Sequence, residues 1–161
     1  MPHFPLNHPL RPLYRALGGL TGAYVLLFGI VGLTRSVGDS LFARDSVWVF
    51  GMRTNLAYSI ICVVIGVVVL AANALGGSLA HRVNQAAGVL FLIAGIGMLS
   101  ALQTEVNFLN FSVTTVVVSL VFGLVLLLAS MYDKIGTSES AEAERVYRRS
   151  STMPDPDRSA P

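Results

Sequence analysis

The side chains best suited to chemistry stand in two short runs: Arg53 and Asn55 in one, Glu105, Asn107 and Asn110 in the other. A guanidinium, a carboxylate and three amides can form an ion pair or hold a polar head group, but they do not make a nucleophile–base set. The histidines are His3, His8 and His81. His3 and His8 have no third donor near them in sequence, and a metal ion needs three or four converging ones. The single cysteine, Cys62, lies in an apolar run. It cannot form an intramolecular disulfide and reads as a small apolar packing residue. No catalytic, metal or nucleotide motif rises above background, and no cofactor is expected.

Composition shows what must position these groups. The chain has 161 residues, 53% hydrophobic and only 12% charged, with mean hydropathy +0.66. Soluble domains carry about a quarter charged residues, so this chain has too few to cover a wetted surface. Its length suits one domain. The net charge of +2 is small and the basic residues lie near the chain's ends and loops, which excludes the basic groove of a nucleic-acid binder.

The expected fold is all-α, an integral membrane four-helix bundle over residues 13–134. A flexible, proline-rich lead-in (1–12) precedes it and a disordered polar tail (135–161) follows. Spans are expected at about 13–34, 55–75, 83–102 and 112–132. The last has no charge or proline from Ser112 to Tyr132, about 31 Å of helix, which matches a bilayer's hydrocarbon core. The first is longer than a signal-peptide core and is followed by no cleavage-like site, so it is read as an uncleaved helix. The Gly76–Ser78 run is expected to break the chain between spans two and three. Residues 35–54, the longest connection, mix Asp39, Arg44 and Asp45 with Phe42, Trp48 and Phe50. They are read as an interfacial loop or short helix on the bilayer, with a lid over a cavity as the alternative.

Each span carries a face of small residues. In the first, Gly18, Gly22, Gly29 and Gly32 fall within about 80° at 100° per residue. Gly66 lies in the second with Asn55, Ser59, Cys62 and Asn73, and Gly88 and Gly95 lie in the third with Asn84. Ser119 and Gly123 mark the same face in the fourth, with Ser112 and Ser130. Such faces let helices approach closely, within the chain or in a homo-oligomer.

With the N-terminus inside, Arg11, Arg15, Arg82, Lys134, Arg145, Arg148, Arg149 and Arg158 are cytoplasmic and Arg35, Arg44 and Arg53 are outside. That bias predicts both termini in the cytoplasm. It also puts Arg53 and Glu105 at the outer face, where they are expected to pair as consecutive helices do, with Asn55 and Asn107 joining. The histidines fall on the other side. Ser138–Arg149 allows a short helix, and Ser138, Ser140, Ser150 and Ser151 lie in a polar tail that allows phosphorylation.

Gly51-Met52-Arg53-Thr54-Asn55-Leu56-Ala57, together with Thr104-Glu105-Val106-Asn107-Phe108-Leu109-Asn110-Phe111-Ser112, resembles the domain of unknown function 4383 family, found mainly in actinobacteria. Tyr24–Gly29 and Gly123–Leu127 fit the same resemblance, which runs from about Tyr14 to Gly136. It implies a four-helix integral membrane domain with no established activity, ligand or catalytic residue. The expected function is that of a non-enzymatic, multi-pass protein of the bacterial plasma membrane, a scaffold or accessory subunit of a complex. The alternative is a binder or carrier of a lipid-like or small apolar molecule. The expected partners are the lipid bilayer and a membrane protein or a second copy, and no nucleic acid.

Overall fold

The computed structural model describes residues 10–44, 47–132, 142, 146 and 147. The lead-in with His3 and His8, Asp45, Lys134, the tail's serines and nearly all of the short tail helix lie outside the described residues. Four helices carry the fold: α1 (Arg11–Arg35), α2 (Leu56–Leu75), α3 (Gly77–Ala101) and α4 (Val113–Tyr132). All four are long and apolar enough to cross a membrane. The two shorter ones have 20 residues, about 30 Å at the α-helical rise, one hydrocarbon core. Outward side chains are apolar: Leu20, Ile93 and Val113 are 64–67% exposed. That much bare aliphatic surface suits lipid rather than water.

The helices pack as two hairpins. α1 lies chiefly on α2 and α3 on α4, with lighter contacts closing the bundle from α1 to α4 and from α2 to α3. The small-residue faces make both close pairs. A Cβ on Gly66 would fall 2.5 Å from the Leu26 amide nitrogen, and one on Gly22 2.8 Å from that of Leu70. Gly29 likewise faces the Val63 backbone, while Gly88 and Gly123 each look onto the other's carbonyl oxygen at 3.0 Å. Gly95 receives the Leu120 side chain and Gly18 the Asn73 amide, and Ser119 is buried. These glycine and serine faces are therefore occupied by this chain's own helices. Between the hairpins lies a core of Val25, Phe28, Tyr58, Cys62, Phe91, Phe111, Val116 and Leu126.

Two expectations are corrected. The third helix starts at Gly77 rather than near Val83. Only Gly76 separates it from α2, at φ +75°, a left-handed conformation that glycine adopts without steric cost. Gly77, the first residue of α3, is left-handed too, at φ +74°, so two glycines together make the reversal, and the residues after them up to Arg82 join the helix. The connection after α1, expected as an interfacial loop or short helix, contains instead a β-hairpin, β1 (Val47–Val49) with β2 (Met52–Thr54). Trp48 pairs with Arg53 and Val49 with Met52. Phe50 and Gly51 both have positive φ, 50° and 78°, as a two-residue turn matching strand twist requires. Alternation turns Val49, Met52 and Thr54 inward, all buried, and leaves Trp48 and Phe50 exposed. The hairpin closes one end of the bundle, with β1 against α1 and β2 against α4.

Candidate functional site

The candidate polar residues assemble at the hairpin end. Asn55 is the N-cap of α2 in an extended conformation, φ −141°. Its Oδ1 accepts from the Tyr58 amide at 2.9 Å, satisfying one of the free N–H groups at a helix start. Its Nδ2 donates to the Phe108 carbonyl at 2.7 Å. One buried side chain thus caps a helix and ties it to the segment joining α3 to α4.

Asn107 closes that segment on itself. Its Oδ1 accepts from the Phe111 amide at 2.8 Å, and its Nδ2 donates to the carbonyls of Phe111 at 2.9 Å and Leu102 at 3.2 Å. Asn110 adopts φ +56°, which asparagine tolerates better than other non-glycine residues, and donates Nδ2 to the Thr54 carbonyl at 2.9 Å. Thr115 donates to the Arg53 carbonyl at 3.2 Å, and Ser112 caps α4 by accepting from the Thr115 amide at 3.2 Å. Thr54 and Ser59 join hydroxyls at 2.9 Å. The outer carbonyls of β2 are thereby satisfied by side chains of the α3–α4 segment and of α4, as backbone near hydrocarbon requires.

The expected Arg53–Glu105 pair is not formed. Glu105 pairs with Arg44, Nη1 to Oε2 at 2.9 Å, with its side chain 97% exposed. Arg44 also donates to the Glu105 carbonyl. Arg53 instead donates Nη2 to the Arg44 carbonyl at 3.2 Å, and its buried Nε has no partner among the described residues. In the packing, α2 lies chiefly on α1 and α3 chiefly on α4, and the carboxylate of Glu105 meets Arg44, from the connection after α1, rather than Arg53. Such an exposed pair contributes little; the asparagines are the stronger ties.

A second polar cluster lies at the opposite end. Asn73 and Asn84 form a reciprocal amide pair, Nδ2 to Oδ1 at 2.8 Å and 3.0 Å, both buried. Asn73 Nδ2 also donates to the Val69 carbonyl at 2.8 Å. Arg15 donates to the Asn73 and Ala74 carbonyls, meeting the negative end of α2, whose last turn has no basic residue of its own. His81 Nδ1 donates to the Ser130 carbonyl at 2.7 Å. Both asparagines stood out on small-residue faces, but periodicity within one helix does not say which other helix its face meets. Nothing in the local sequence marked Arg44 or Arg15 as partners.

The two motif segments are thus joined in space: the Asn55 side chain of the first holds the Phe108 carbonyl of the second, and Asn110 returns a bond to Thr54. The profile of a domain of unknown function, DUF4383, matches residues 15–132, which include both segments, all of α2, α3 and α4, and α1 from Arg15 onward. This chain belongs to the DUF4383 family. No curated protein and no solved structure matches it. In this DUF4383 domain the candidate residues bond chiefly to backbone groups of their own chain, and the arrangement is that of a clasp.

Proposed function

We propose that this chain is a non-enzymatic, multi-pass protein of the plasma membrane that serves as an accessory subunit or scaffold of a membrane complex, with both termini cytoplasmic. The observation that carries the reading is the commitment of its buried asparagine amides to its own fold. Asn55, Asn73, Asn84, Asn107 and Asn110 all bond within the chain. The space among Tyr24, Phe28, Tyr58, Cys62 and Phe91 is about 10 Å³, room for about one water molecule. A cargo or an ion path would need polar or open space there. What this domain offers a partner is its outward surface. A photo-crosslinking residue installed at outward positions such as Leu27, Ile93 or Leu124 in the native host tests this. A discrete protein adduct confined to one helix face is expected; uniform lipid adducts on every face refute the accessory role.

A further inference from the structure

α1 and α4 meet along a seam that the hairpin fills only in part. β1 packs on α1 and β2 on α4, and Phe50 at the hairpin's turn reaches Tyr24, with ring centroids 5.8 Å apart. Beyond that contact the seam opens as a groove of about 380 Å³, with Leu20, Thr21, Tyr24, Val121 and Phe122 among its walls. That volume lies in the roughly 300–1,000 Å³ range of small-ligand sites. Tyr24 stands near the middle of the 25-residue α1, about 17 Å from its nearer end. Phe122 stands near the middle of the 20-residue α4, and the two rings meet edge to face at 5.3 Å. The groove therefore sits near the bilayer's midplane, about 15 Å from either head-group layer.

Thr21 is satisfied by its own helix, Oγ1 donating to the Leu17 carbonyl at 2.9 Å. Tyr24 is not. It is partly exposed, its contacts are with the rings of Phe50 and Phe122, and its hydroxyl has no hydrogen-bond partner among the described residues. A hydroxyl left unpaired in hydrocarbon costs free energy that a single acceptor recovers. Its depth selects the occupant. A phospholipid's phosphate and ester groups stay in the head-group layer, about 15 Å away, and its acyl chains carry no acceptor. A partner helix spends its backbone carbonyls within itself, and the hairpin blocks the part of the seam along which such a helix would lie.

We propose that this groove binds a lipid-soluble quinone, a flat dione ring on an isoprenoid tail. A ring carbonyl accepts from the Tyr24 hydroxyl, the ring lies against the aromatic walls of Tyr24 and Phe122, and the tail runs past Leu20 and Val121. Carbonyl acceptors on an otherwise apolar molecule match a lone donor at this depth, and the aromatic walls suit a flat ring. Binding is reversible and involves no electron transfer. It is independent of whether the chain serves as an accessory subunit.

The test titrates the purified full-length chain, in mild detergent, with phylloquinone or with phytane, the hydrocarbon of its tail. Native mass spectrometry counts bound molecules, and infrared spectroscopy follows the ring carbonyl stretch. One phylloquinone is expected on each chain at concentrations where phytane is not held, with its carbonyl band moved to lower wavenumber. Tyr24→Phe, which removes one oxygen, should cancel that shift and weaken retention about fivefold, the worth of one net hydrogen bond. Val121→Trp, at a half-exposed position, fills the groove while leaving Tyr24 in place and should abolish retention. Unfolding midpoints equal to the parent's confirm that both variants fold. Equal retention of phylloquinone and phytane, an unshifted carbonyl band, or retention unchanged by both substitutions overturns the proposal. A second polypeptide that Val121→Trp dislodges, with no phylloquinone held, assigns the groove to a partner helix and also overturns it.

Discussion

Replacing Asn55 by alanine removes two bonds that differ in kind. The first is the N-cap bond to the Tyr58 amide at 2.9 Å; losing a cap costs about 1 kcal/mol. The second is the bond to the Phe108 carbonyl at 2.7 Å, part-buried and worth about another 1 kcal/mol. Asn55→Ala should therefore lose about 2 kcal/mol of stability. Asn55→Ser separates the terms, because serine caps a helix equally well but is too short to reach Phe108. It should lose about half as much. Both are measured by reversible unfolding in mixed micelles, with α-helical circular dichroism as the readout. The reasoning is refuted if the alanine variant unfolds with the parent, or if serine costs as much as alanine.

Gly66→Leu should fail to give folded protein, because its Cβ would lie 2.5 Å from the Leu26 amide nitrogen. Gly97→Ala, where an added Cβ meets nothing within 4 Å, should fold at least as stably as the parent; melting of the purified variants compares them. Glu105→Ala should leave the unfolding midpoint unchanged, because its partnership with Arg44 is solvent-exposed; a large drop in the same assay would restore the ion pair as the main clasp. A double-mutant cycle of Asn73→Ala and Asn84→Ala should give a coupling of about 0.6–2 kcal/mol, the range for hydrogen bonds between membrane helices. Additive effects would show the amide pair to be energetically idle.

The helices were legible because a span needs only length and apolarity, and the glycine faces because their spacing repeats with the helical turn. Asn55 was also legible as the start of the second span. The hairpin was not. Val47–Val49 and Met52–Thr54 are three residues each, too short for alternation to outweigh Trp48 and Phe50 as signs of an interfacial loop. The clue was Phe50-Gly51 between two strand-prone triplets. The ion pair was misassigned for a different reason. Chain order suggested that the second and third spans stand side by side along their length, whereas glycine-mediated contact binds each more closely to another helix. Arg44 and Glu105 are 61 positions apart, and their meeting follows from the tertiary packing alone.

This bundle commits its buried asparagine amides to its own fold, and we propose that it acts through association. Native mass spectrometry of the full-length chain, extracted from its own host's membrane in mild detergent, tests that most directly. A second polypeptide in fixed stoichiometry is the predicted result. A chain that emerges alone, with no partner protein at any detergent strength that preserves the fold, would contradict it.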